Sequence, residues 1–77
     1  MSPDVPRLGS EIIRWLARRA GQVVSRGELL EHVWGVSPRN ETRAVDVAIA
    51  ALRAKLEREP AAPVVIVSVK GAGYRWG

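Results

Sequence analysis

The 77-residue chain has no cysteine and no phenylalanine, and only one histidine, one methionine and one tyrosine. Without cysteine there is neither a disulfide nor a thiolate metal site to hold so small a fold together. The lone histidine, His32, cannot supply the three or four ligands that zinc requires, so no metal site is expected. Its solitude also argues against an enzyme. With one imidazole, no thiol and carboxylates scattered over helical faces, no nucleophile and base can be matched with an orienting third group, and neither catalytic residues nor a cofactor are expected. Long apolar runs are missing as well. No stretch approaches the roughly 18 residues of a spanning helix, and "MSPDVPRLG" lacks the basic start and apolar centre of a signal peptide. The expectation is a cytoplasmic chain with no membrane partner.

What is present fits a folded domain. Hydrophobic residues make up 47% of the chain and charged residues 26%, ordinary globular values far from the signature of disorder. The length allows one domain, 1–77, with residues 1–6 as a loose leading segment. Twelve Lys and Arg against eight Asp and Glu leave a formal charge of +4, and ten of the twelve are arginine, the residue suited to bidentate phosphate contact. That balance favours a polyanionic partner, although small domains also carry such a surplus for solubility.

The pattern along the chain predicts three helices and a hairpin. In "EIIRWLARRAG", Ile12, Ile13, Trp15 and Leu16 share one face, predicting a first helix over residues 7–20 that ends at Gly21. "QVV" is too short to stand alone but could add an edge strand. "SRGELLEHVWG" opens with Ser25 and Glu28 in the spacing of a reciprocal capping box, buries Leu29, Leu30, Val33 and Trp34, and closes at Gly35. After the polar link "VSPRNE", residues 42–58 carry Val45, Ile49, Leu52 and Leu56 one helical turn apart and stop before Pro60. "PVVIVSVKGAGYRWG" then reads as strands over 64–69 and 73–76, with Gly71 and Gly73 supplying positive φ at the reversal. "KGAG" precedes no helix, so nucleotide binding is not expected. The fold class is α+β: a winged helix-turn-helix of three helices and a C-terminal hairpin wing, with "QVV" as a short third strand.

Three motifs in order, "GQVVSRGELLEHVWG", "TRAVDVAIAALRAKLE" and "VKGAGYRW", resemble the winged-helix effector domain of OmpR/PhoB-type bacterial response regulators. The resemblance spans residues 11–76. It implies binding of double-stranded DNA for transcription control in a two-component system, with the third helix in the major groove and the hairpin wing in the minor groove. It also implies that the loop 36–41, through Ser37, Pro38, Arg39 and Asn40, could touch RNA polymerase; specificity would then come from a few contacts and from pairing of copies on repeated half-sites. The family's N-terminal four-stranded sheet and receiver domain have no counterpart in these residues, which suggests an excised fragment or a reduced stand-alone form.

The third helix departs from the family. Where members carry a histidine and arginines for base reading, this chain has Ala48, Ala50, Ala51 and Ala54. Arg43 and Arg53 remain as basic residues at matched contact positions. Val47 and Ala51 can touch a thymine methyl but cannot form the bidentate bonds to guanine that supply about 1–3 kcal/mol of discrimination each. Lys70 and Arg75, flanking the hairpin tip, complete the expected DNA contacts, and Arg75 has an alternative as an ion pair with Asp46. The bare face has two further readings: a helix made stable by alanine, or a docking surface for another protein in a module that binds DNA weakly or not at all. His32 is read as a surface or partly packed residue, Arg18 and Arg19 as surface, Trp15 and Trp34 as core anchors.

Overall fold

Apolar side chains recurring at three- and four-residue spacings gather three helices around one core, and β-branched segments close it with a small sheet. A computed structural model of the chain describes residues 4–77. Helix α1 spans Asp4–Arg18, strand β1 Val23–Val24, and helix α2 Arg26–Leu29, which widens into a π-helical turn over Leu30–Trp34. Helix α3 spans Arg43–Leu56, and strands β2, Ile66–Val69, and β3, Gly73–Trp76, form the hairpin. The sheet is antiparallel with order β1-β3-β2, so "QVV" does supply the third strand, pairing Val24 with Tyr74. The expected α+β winged helix-turn-helix is thus present.

The core is Ile12 and Leu16 of α1, Val24, Leu29 and Leu30, Val45, Ile49 and Leu52 of α3, with Ile66 and Tyr74 from the sheet. Gly9 allows α1 and α3 to approach closely, since a Cβ there would sit 2.9 Å from Leu52. Trp15 and Trp34 are not central anchors: both are half-buried and pack against the core from outside. Trp15 instead lies between Arg19, 3.9 Å from its ring, and His32, stacked at 4.2 Å, while its Nε1 donates to Glu28. Arg19, read as plain surface, therefore packs on this ring, and the exposed His32 stacks on it as a surface or partly packed residue would.

Helix limits differ from expectation for local reasons. α1 begins at Asp4, inside the segment expected to be loose, because Pro6 falls in the first turn, where no intrahelical acceptor is needed for its missing N–H. Residues 1–3 of that segment lie outside the described residues. Ser25 caps α2 as predicted, accepting from the Glu28 N–H at 3.0 Å, but the box is only half made. The Glu28 carboxylate turns to Trp15 Nε1 and to Arg19, 3.4 Å away, instead of the Ser25 backbone. Gly35 ends the π turn at φ 74, in the left-handed cap expected of it.

The tail holds the largest departure. β2 starts at Ile66, not 64, because the N–H groups of Val64, Val65 and Ile66 donate to the Glu57 carboxylate at 2.8–3.1 Å in place of a strand partner. Glu57 is the residue just past α3, and its buried side chain clips the returning chain beneath the helix end. Val64 is left 72% exposed, and Leu56, expected in the buried stripe, is 40% exposed at the helix's last position.

Candidate nucleic-acid interface

At 100° per residue, Arg43, Val47, Ala50 and Ala54 of α3 form one stripe, opposite the core positions Val45, Ile49 and Leu52. All four stripe residues are exposed, as is the adjacent Ala51. The stripe ends in a single cation, Arg43, whose side chain is 80% exposed and only loosely paired with Glu41 at 3.7 Å. Its surface otherwise offers methyl groups and no hydrogen-bond donor. Ala48, grouped with it in the sequence, is half-buried toward α1.

The wing presents the second cation. The Val69–Ala72 reversal is closed by the Ala72 N–H donating to the Val69 carbonyl at 2.9 Å, with Gly71 at φ 74, and Lys70 stands exposed in it. Arg75 lies half-buried in the middle strand, between Val23 and Val67. Neither Lys70 nor Arg75 has a side-chain hydrogen bond or ion pair among the described residues. The alternative of an Arg75 ion pair with Asp46 is not realised.

Asp46 is occupied from elsewhere. Its Oδ1 accepts from Tyr74 OH at 2.7 Å and from Arg26 Nε at 2.6 Å, joining α3 to the wing and to the start of α2. Seven residues on, Arg53 grips β2: Nε and Nη2 donate to the Ile66 carbonyl at 3.0 and 2.7 Å, and Nη2 also reaches Ser68 Oγ at 2.9 Å. Arg53 was expected among the DNA contacts; it is half-buried and engaged inside the molecule, since its flank of α3 faces the sheet. Arg26 and Arg53 also lie 5.1 and 5.5 Å from the Tyr74 ring centroid. Sequence reading missed Arg26, Ser68, Tyr74 and Glu57 as a group, because their partners lie 7 to 28 positions away and leave no periodic trace.

These contacts set the charge states. Burial works against the Asp46 carboxylate, but the Tyr74 hydroxyl and the Arg26 guanidinium outweigh it and hold the acid below its ordinary range. Burial likewise opposes the Glu57 charge and is outweighed by the three backbone N–H groups and by Arg53. Burial and the neighbouring Asp46 charge push the Tyr74 hydroxyl up, so it stays a donor at neutral pH. Acids depressed in the folded state add stability above their unfolded values and lose it as pH falls through the folded ones. The melting temperature is therefore expected to hold steady from pH 7 to about 5 and to drop below about pH 4. Asp46→Asn should remove part of that drop. Circular-dichroism melts across this range check it; a flat profile between about pH 5 and 3 would show that these carboxylates are not engaged.

The loop residues Ser37, Pro38, Arg39 and Asn40 are all exposed, and a bond from the Arg39 N–H to Ser37 Oγ shapes their turn. Between α1 and α3 runs an apolar groove of about 700 Å³, floored by Leu8, Ile13, Trp34, Ala48 and Leu52 and edged by Arg43 and Lys55. Among the described residues no cluster of His, Cys, Asp or Glu could hold a metal ion, and no helix is long and apolar enough to cross a membrane.

Comparison with known proteins matches this geometry. The family model described as "Transcriptional regulatory protein, C terminal" covers residues 4–76. The sensory transduction protein RegX3 of Mycobacterium leprae is 42% identical over 65 residues, which are 84% of this chain and 33% of that protein. The chain thus spans about a third of that relative's length. Among solved structures, the Thermotoga maritima response regulator DrrB, an OmpR/PhoB homolog, superposes with a TM-score of 0.83 at 37% identity, over 92% of this chain and 32% of that one. The Klebsiella pneumoniae RstA DNA-binding domain, solved in complex with the RstA box, gives a TM-score of 0.82 at 36% identity, over 90% of this chain and 68% of that one. With both the fold and the family model extending over nearly all of its residues, the chain belongs to the C-terminal transcriptional regulatory domains of OmpR/PhoB-type response regulators.

Proposed function

We propose that this chain binds double-stranded DNA as the effector module of a bacterial transcription regulator, with little base-specific readout. α3 lies in the major groove, Arg43 on a phosphate and Val47 and Ala51 against base edges. The wing enters the adjacent minor groove, with Lys70 and Arg75 on the backbone. Arg53 is left out of this contact set because its donors face Ile66 and Ser68. What carries the reading is the attachment of α3 to the hairpin through Asp46 and Arg53, which leaves Arg43 and Lys70 exposed at the ends of two neighbouring elements. Family membership and the DNA complex of the RstA domain support it.

With alanine across the reading face, each step of discrimination at about 1–3 kcal/mol per bidentate pair is missing, and affinity becomes chiefly electrostatic. Target choice then falls to pairing of copies on repeated half-sites. The module works in the cytoplasm without a catalytic step or cofactor, and the loop of Ser37, Pro38, Arg39 and Asn40 is its contact with RNA polymerase.

An anisotropy titration against random duplex DNA at low and moderate salt tests the reading. Micromolar or tighter binding at low salt is expected; binding no tighter than millimolar would reject it. The groove between α1 and α3 favours one competing reading. A partner segment with apolar side chains for its floor, and carboxylates for Arg43 and Lys55, would dock there and cover Val47 and Ala51. That reading takes over if the DNA titration fails.

A further inference from the structure

The two bonds from α3 to the wing are poor candidates for simple stabilisers. Asp46, which makes the first of them, is 46% exposed, and its further ion pair to Arg26 of α2, itself 38% exposed, is wet enough to contribute little net stability. A pair of apolar side chains would hold helix and sheet together at least as well. What directional bonds add is a defined angle and register.

Their placement gives that register a use. Asp46 and Arg53 stand two turns apart on the flank of α3, so a rotation about either bond is blocked by the other. On the wing they do not reach scattered points: Tyr74 and Ser68, which receive them, are directly opposite each other across β3 and β2. Lys70 is two residues beyond Ser68 along the hairpin, and Arg43 is three residues before Asp46 along the helix. The chain path from one exposed cation to the other thus crosses this clasp within a few residues on each side.

We infer that Asp46, Arg53 and Tyr74 are positioning residues for DNA binding, clasping the wing to α3 so that Arg43 and Lys70 meet phosphates of one duplex together. This rests on the DNA-binding reading above. The clasp residues touch no phosphate themselves. Losing one of them lets the wing swing, so binding weakens while the number of phosphate contacts in the bound state, and with it the salt slope, is unchanged.

The test uses variants that keep charge and bulk. Tyr74→Phe removes only the hydroxyl, and Arg53→Lys keeps the cation but cannot hold Ile66 and Ser68 together. Both are expected to weaken binding to a random duplex at least about fivefold with an unaltered slope of log K against log salt. Asp46→Asn retains an oxygen for Tyr74 and Arg26 and is expected to bind nearly as wild type, whereas Asp46→Ala is not. Because the chain has no cysteine, nitroxides placed through Ala50→Cys and Ala72→Cys can report the helix-to-wing distance without DNA. That distribution should be narrow in the wild type and broad with Tyr74→Phe or Arg53→Lys. Wild-type affinity and a narrow distribution in both variants would overturn the inference. So would an Arg53→Lys protein that binds like wild type while Arg53→Ala loses slope, since Arg53 would then be a phosphate contact. Failure of the wild type itself to bind DNA would overturn the proposed function, and this role with it.

Discussion

Affinity for duplex DNA is expected to fall roughly forty-fold as salt rises from about 50 to about 200 mM, close to the limit that three phosphate contacts allow. The three are Arg43, Lys70 and Arg75, each left without a strong partner inside the chain: Arg43 has only a loose pair with Glu41, and the other two have none among the described residues. A B-DNA contact contributes about 0.9 to the slope of log K against log salt, so the wild-type slope should be near about −2.7. Lys70→Ala should make it shallower by about 0.9, because a cation at a turn tip can be removed without disturbing the sheet. The alanine face makes this term dominant. Val47 and Ala51 offer base edges only methyl contact, so little salt-independent affinity stands beneath it. A slope near zero with retained binding would show that the interface is not electrostatic, and an unchanged slope in Lys70→Ala would remove the wing tip from it.

Gly73→Ala is expected to be strongly damaging for a single added methyl, costing on the order of 3 kcal/mol, or roughly 150-fold in the folding constant. The residue has φ 147, and a Cβ there would lie 2.1 Å from the Val24 carbonyl oxygen and 2.8 Å from Ser25 Cα. Relief requires β1 to leave β3, which also uncovers Tyr74, the partner of Val24 in the register. For a chain of this length, total stability is about 4–12 kcal/mol, so such a loss is a large share of it. Gly71→Ala is the control. Its φ of 74 is also left-handed, but nothing lies within 4 Å of the added carbon, and the cost should stay near about 1 kcal/mol. Urea denaturation followed by tryptophan fluorescence measures both; equal losses in the two variants would mean that close approach of β1 is not what demands glycine.

The parts of the fold legible beforehand are those in which cause and effect lie within one turn of chain. Ser25 caps the helix whose third residue is Glu28, Gly35 ends it in the left-handed region, and Gly71 turns the hairpin; each signal sits at the feature it makes. The failures have a common origin in competition for a side chain from across the molecule. Glu28 completes no box because Trp15 and Arg19 take its carboxylate. Val64 and Val65 look like strand, but Glu57 takes their N–H groups. Arg53 looks like a DNA contact until the Ile66 carbonyl and the Ser68 hydroxyl are seen to occupy it.

The amino-acid order alone determined the three helices, the hairpin and the surplus of cations. Apolar spacing, caps and glycine turns act through backbone geometry over three or four residues, and the same order stripped the outer face of α3 to alanine. Only the tertiary structure decided which charges are left for a partner. An arginine on a helix flank and one at a helix start are the same letter, and folding distinguishes them by placing the Ile66 carbonyl within 2.7 Å of Arg53 while leaving Arg43 in water.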